Sequence, residues 1–304
     1  GIGKATATEL ARQGMAVTIA CRNVEKGKQA VADIIRESSN PSVRVMELDL
    51  ASFASIRQFA AGYLHLGLPL NSLVNNAGVM ACPQQYTVDG FEYQLGVNHL
   101  GHFLLTSLLL GKLKSCASPG VVVLASAAER IGNIDFNDLN YKSRSYNNWL
   151  AYGQSKLANC LFSLELSRRC TSLGIPVTSN SMHPGIVDTE VSPYPERDFR
   201  LMRNPLLVFI VALMVFVQTP KQGASTSVYL ANSSEMEGLT GGYYEDSRKA
   251  NPSARATDTE LSFKLWAVSE ELTNTTDILE PLQLSARASQ GVSMISHRLT
   301  NFSS

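Results

Sequence analysis

Short apolar runs alternate with longer amphipathic stretches through most of this chain, and that alternation leaves few folds open. Residues 16–21, 43–48, 72–75, 120–125 and 177–182 are short and rich in Val, Ile and Leu. Such runs suit strands of a parallel sheet covered on both faces. Residues 4–13, 24–36, 55–63, 91–113 and 149–170 carry helical patterns. Strand, helix, strand at this spacing predicts right-handed βαβ units. The expected fold class is α/β, a Rossmann-type doubly wound parallel sheet with helices on both faces. Ligands of such sheets bind beyond the C-terminal ends of the strands, so the residues just after each strand carry most of the functional information.

Composition narrows the classes of function. Of 304 residues, 26 are Lys or Arg and 26 Asp or Glu, giving a formal net charge of zero. A balanced chain lacks the basic face expected of a nucleic-acid binder. Apolar residues make up 44%, enough for a buried core. The cysteines number five, an odd count with no CxxC pair, so reduced thiols and no cysteine metal site are expected.

The two ends read differently from the middle. Gly1-Ile2-Gly3 opens directly into a helical pattern; no targeting segment is expected within this sequence. A glycine turn ordinarily follows a strand, so a start inside a longer chain is expected. Residues 274–304 hold six serines, no lysine and one aromatic, Phe302; a disordered tail is expected there. The longest apolar run, residues 206–217, has twelve residues bracketed by Pro205 and Pro220. A membrane-spanning helix needs about 20, so a buried helix or one lying in a membrane face is expected instead.

The opening turn and four strand ends carry candidate binding or catalytic residues. Gly1, Ile2 and Gly3 open a helix whose positive end suits a phosphate, although glycine turns are common. After the next strand comes Arg22, where dinucleotide folds often place an acidic ribose ligand. A guanidinium there suits a 2′-phosphate, which favours NADP(H) with NAD(H) as the alternative; an ordinary surface arginine is the plain reading. Asp49 and Leu50 follow the strand at 43–48, where the carboxylate either meets an adenine amino group or caps the following helix. Asn76, Ala77 and Gly78 follow the strand at 72–75 and suit either a close-lying cofactor or a simple turn. Ser126 follows the strand at 120–125, and Tyr152 and Lys156 come 26 and 30 residues later. A spacing of four puts phenol and ammonium on one helix face. A free tyrosine, with a pKa near 10, is a poor base at neutral pH, and a nearby cation lowers that value.

Taken in order, these residues resemble the short-chain dehydrogenase/reductase family over residues 1–273, read as one domain. The matching elements are Gly1-Ile2-Gly3, Asp49, Asn75-Asn76-Ala77-Gly78, Asn98, Ser126, the YxxxK pair Tyr152 and Lys156, and Pro184-Gly185 with Thr189. The stretches around Asn98, Lys156 and His183-Pro184-Gly185, with Ser55 to Phe59 and Asn75 to Met80, look like the retinol-dehydrogenase-like branch. The resemblance places the family's first strand, and half its phosphate loop, ahead of Gly1. That strand would run between those at residues 16 and 72, so a gap in the sheet is expected.

The resemblance also implies roles. Tyr152 would be the general acid/base and Lys156 would lower its pKa and bind the nicotinamide ribose. Ser126 would bond the substrate oxygen, and Asn98 would anchor a proton-relay water or, more plainly, kink a helix. Gly1, Ile2, Gly3, Arg22, Asp49, Leu50, Asn76, Ala77, Gly78, Pro184, Gly185, Val187 and Thr189 would line the cofactor, joined by Tyr152 and Lys156. Residues 190–220 would form a substrate lid. The implied activity interconverts a lipophilic alcohol, polyprenol- or retinoid-like, and its carbonyl. It implies contact with the membrane surface of endoplasmic reticulum or lipid droplets and leaves oligomeric state open. The rivals are a catalytically impaired binding or scaffold protein and a reductase of small carbonyls or steroids.

Overall fold

The computed structural model describes residues 1–185 and 219–275. The expected lid at 190–218, Val187, Thr189 and nearly all of the expected tail lie outside the described residues. The helices are α1 (Ile2–Arg12), α2 (Val24–Ser38), α3 (Phe53–His65), α4 (Gly101–Lys114), α5 (Asn148–Ser172), α6 (Pro220–Asn232) and α7 (Thr259–Thr273). The strands are β1 (Val17–Cys21), β2 (Val43–Glu47), β3 (Ser72–Asn75), β4 (Gly120–Leu124), β5 (Thr178–His183), β6 (Tyr243–Glu245) and β7 (Arg248–Ala250).

Strands β3 to β6 pair in parallel in the order of the chain, and β7 closes that edge as an antiparallel hairpin. Alternation along β4 builds two cores at once. Val121 and Val123 join Phe103, Phe162 and Trp266 beneath α4, α5 and α7. Val122 and Leu124 join Met182 and Leu230 beneath α6. A strand buried on both faces needs apolar residues at every position, which is why residues 120–124 read as a continuous run rather than an alternation.

Two pieces of sheet result. β1 and β2 form a separate parallel pair, Val17 opposite Val43 through Cys21 opposite Glu47. No ladder joins β1 to β3 among the described residues. A cavity of about 680 Å³ lies between them, lined by Val17–Cys21 and by Ser72, Leu73, Val74 and Asn75, with Phe59, Leu105 and Leu109 among the other lining residues. The facing edges therefore present backbone groups that a single extended strand would satisfy. The expected gap falls at the expected place.

Three regular elements were not predicted. The β6–β7 hairpin has only three residues per strand, and Asp246 and Ser247 turn it with φ of 48° and 57°. Helix α6 is rich in Gly, Ser and Thr, poor helix formers. It nevertheless carries a capping box, with Thr219 and Gln222 each bonding the other's backbone and Pro220 in the first turn. Helix α7 is held by Trp266, which packs at 5.0 Å from the Phe103 ring and 6.0 Å from that of Phe162.

Candidate active site

Each strand of the site ends in a loop that aims side chains at one edge of the sheet. Helix α1 begins directly after Gly1, which has no side chain to cap it, and no acidic residue occupies its first turn. A Cβ built on Gly3 would lie 2.6 Å from Asn76 Nδ2, so glycine alone lets this turn approach the loop after β3. Asn76 Oδ1 is buried without a protein partner. A Cβ on Gly78 would lie 3.0 Å from Asn98 Oδ1 and 3.5 Å from Lys156 Nζ. The opening turn and the loop after β3 thus converge with Asn98 and Lys156 through positions that exclude a side chain. Such a cradle fits a nucleotide cofactor lying against backbone, with an unpaired buried acceptor to receive one of its donors.

Arg22, at the end of β1, is exposed, and its Nη1 donates to the Tyr93 hydroxyl at 3.1 Å. Asp49 follows β2; its Oδ1 accepts from Ala51 N at 2.9 Å, while its own N–H donates to Ser55 Oγ. Asp49 therefore takes part in organising the entry to α3, whose direct cap is Ser52. Leu50 is buried, and its carbonyl lies 2.7 Å from a Cβ built on Gly101. Ala77 is exposed at the same loop that holds Asn76.

Asn98 lies in a π-helical turn, Gly96–Leu100, leading into α4. Its side chain is fully buried and triply bonded. Nδ2 donates to Val79 O and to Ser155 Oγ, both at 2.9 Å, and Oδ1 accepts from Val79 N at 2.8 Å. Ser155 Oγ in turn donates to the Tyr152 carbonyl at 2.8 Å. The amide therefore ties the loop after β3 to the middle of α5.

Ser126 caps the short 3₁₀ turn Ala127–Ile131, its Oγ accepting from Ala128 N at 3.2 Å, and also hydrogen-bonds the Tyr152 hydroxyl. Tyr152 and Lys156 share the inner face of α5, with Nζ 5.7 Å from the phenol ring centre. Both are buried, at 9% and 5% exposure. Burial pushes Tyr152 up to about 12 against the opposing effect of Ser126, and pulls Lys156 down to about 8. The expected depression of the phenol by Lys156 is corrected here: desolvation dominates, and the ammonium is directed at Leu124 O, 3.1 Å away. Pro184 and Gly185 follow β5, Gly185 with φ of 78°, a turn conformation that costs glycine little.

Two neighbours of the site carry no sequence signal that singles them out. Trp149 packs edge-on against Tyr152 at 6.3 Å between ring centres and is 36% exposed. Ile131, half exposed, lies within 3.0 Å of a Cβ built on Gly153. Packing decides both that the Trp149 ring meets Tyr152 and that it stays partly in solvent.

The family profile described as short chain dehydrogenase matches residues 1–198 of this sequence. The chain belongs to the short-chain dehydrogenase family. Among its relatives, human retinol dehydrogenase 13 is 46% identical over 272 residues, covering 90% of this chain and 81% of that one. Mouse polyprenol dehydrogenase is 44% identical over 277 residues, covering 90% and 81%. A crystal structure of an uncharacterised protein from Mycobacterium paratuberculosis superposes with a TM-score of 0.71 at 37% identity, covering 90% of both chains. This dehydrogenase is an NAD(P)-dependent oxidoreductase acting on alcohols. Among the described residues, no cluster of metal-binding side chains is present and no helix is long and apolar enough to cross a membrane.

Proposed function

We propose that this dehydrogenase interconverts a lipophilic alcohol, polyprenol- or retinoid-like, and its carbonyl, with NADP(H) as the preferred cofactor. The observation that carries the reading is the convergence of Ser126, Tyr152 and Lys156 beside the Gly3–Asn76–Gly78 cradle. The nicotinamide, when bound, supplies or accepts the hydride.

The chain's own residues manage the proton and the charge. Tyr152 Oη gives its proton to the substrate oxygen in reduction and takes the hydroxyl proton in oxidation, a contribution of about 10²–10⁴-fold. Ser126 Oγ bonds the same oxygen and holds charge that develops on it. Lys156, on the same helix face with its ammonium held by Leu124 O, would bind the nicotinamide ribose. Asn98 keeps the loop after β3 and α5 in register, and a relay water at this amide would return protons to Lys156. Gly1, Ile2, Gly3, Asp49, Leu50, Asn76, Ala77, Gly78, Pro184 and Gly185 line the cofactor. Arg22 reads the 2′-phosphate.

Trp149 and Ile131 supply an apolar approach to Tyr152, and the relatives named for retinol and polyprenol favour the same substrate class. The reading places one domain over residues 1–273 and the working protein at a membrane surface. The test is turnover with NADPH of a long isoprenoid aldehyde against a short polar carbonyl, with and without liposomes. The isoprenoid substrate is expected to show the higher kcat/KM, and liposomes to bind the protein. Preference for the polar carbonyl without liposome binding would overturn the substrate assignment.

A further inference from the structure

Glu129 is a carboxylate with no exposed surface, three residues beyond Ser126. It has no place in the proton chemistry described above, yet it is not idle. It accepts from Ser253 N at 2.9 Å and from the Ser253 hydroxyl. Two further bonds join the same two segments in opposite directions. Arg130 Nη2 donates to Asn251 O at 2.8 Å, and Arg255 Nη1 donates to Gly132 O at 2.9 Å. Segment 251–255 therefore grips the turn 126–132 at three successive points, across more than 120 residues of sequence.

The gripped turn has little freedom on its other side. A Cβ on Gly132 would lie 2.3 Å from Gly153 O, and one on Gly153 would lie 2.9 Å from Ala128 O. The turn is thus pressed against the backbone of α5 at the residue following Tyr152. Ser126 begins the turn and Tyr152 borders the contact, so the placement of one hydroxyl on the other depends on what holds the turn down.

We propose that Glu129, through Ser253, is a positioning residue for the reaction: it clamps the 126–132 turn on α5 and so sets the hydrogen bond between Ser126 and Tyr152. A buried carboxylate is costly unless its acceptors are satisfied. Here that cost is met by two donors from a single residue of the C-terminal segment. Charge-assisted bonds of this kind are shorter and more directional than neutral ones. Arg130, 3.9 Å away, adds a partial counter-charge from the surface. The inference rests on Ser126 and Tyr152 being the proton-transfer pair.

The experiment compares Glu129→Gln, Ser253→Ala and Ser253→Thr with the unsubstituted chain. Glu129→Gln and Ser253→Ala are each expected to lower kcat by roughly a hundredfold, the scale of a misplacement near 1 Å, with KM for the cofactor unchanged. Ser253→Thr keeps the hydroxyl and is expected to retain most of the activity. Because the Ser126 bond opposes the rise of the Tyr152 pKa, both damaging variants should also move the alkaline rise of the oxidation rate to higher pH. The double variant should be no worse than the poorer single one, as for groups acting as a unit.

A loss of kcat with an unmoved pH profile would mean a structural role only and would overturn the inference, as would unchanged kcat in folded Ser253→Ala. Should Glu129→Gln fail to fold, the Ser253→Ala and Ser253→Thr pair decides. Tyr152→Phe run alongside separates the two layers: activity retained there overturns the assignment of the reacting pair itself.

Discussion

At the residue scale, the chemistry rests on a phenol that burial holds protonated. With Tyr152 pushed up to about 12, the neutral form dominates at pH 7 and the anion grows as pH rises. Oxidation, which needs the anion, is therefore expected to speed up with pH, close to tenfold per unit well below that value, while reduction is not. Initial rates in both directions from pH 6 to 10 test this; a flat oxidation profile would remove Tyr152 as the base. Tyr152→Phe should abolish hydride transfer with cofactor affinity changed only a few-fold, measured by single-turnover absorbance and by titration. Arg22 is expected to favour NADPH by ~1.5–3 kcal/mol, the scale of a charged hydrogen bond. Arg22→Asp should erase that preference in a binding titration, and equal NADPH affinity before and after would show that the guanidinium does not read the phosphate. The catalytic candidates were legible because each follows a strand or sits one helical turn from another. Trp149 and Glu129 were not, because their neighbours, Tyr152 by ring contact and Ser253 by 124 residues of separation, are chosen by packing.

At the element scale, α4 and α7 depend on groups that must stay uncharged or apolar. His99 and His102 are buried in and just after the π-helical turn, and desolvation pulls them down to about 3 and about 4. Both folded values are depressed below the unfolded value near 6.5. The unfolded chain therefore binds more protons in that window, and stability is lost as pH falls from about 6.5 toward 4. Urea midpoints at pH 7 and pH 5 should show the drop, and His99→Gln should flatten part of it; an unchanged slope would assign the loss to other groups. Trp266 stacks on Phe162 and edge-on against Phe103. Trp266→Ala should cost about 3–5 kcal/mol by the same measurement, and a cost under 1 kcal/mol would mean that α7 docks by other means. Leu261, Leu265, Val268 and Leu272 also recur at helical spacing and pack on the core, so the signal for α7 was present in the sequence. The cap signal of α6, Thr219 to Gln222, was present in the sequence and outweighed by the small residues after it.

At the scale of the whole molecule, the division of the sheet matters most. β1 and β3 face each other across a cavity of about 680 Å³ without pairing. Unpaired edges next to apolar walls invite association with other chains. The cavity also borders Gly3, Asn76 and Gly78, so whatever fills it also braces the cradle. A five-residue β-branched strand and a glycine turn fused ahead of Gly1 should therefore raise the melting temperature. It should also tighten NADPH binding by roughly a hundredfold, ~2.7 kcal/mol. Scanning calorimetry and isothermal titration of the two forms make the comparison. Micromolar binding by a monodisperse, cooperatively melting 304-residue chain, unimproved by the fusion, would show that the two halves hold without the strand.

The local pattern alone determined the α/β class, the positions of β1 to β5 and of the first five helices, and the order of the residues that follow the strands. Those features are short apolar runs or patterns that repeat near every fourth residue, and neighbouring residues suffice to express them. The tertiary structure alone decided which loops meet. It brought Gly3 against Asn76, turned the Lys156 ammonium toward Leu124, raised rather than lowered the Tyr152 pKa, and set Glu129 on Ser253. The reason is physical: desolvation and long-range hydrogen bonding depend on everything packed around a group, and a linear spacing records only what lies along the chain.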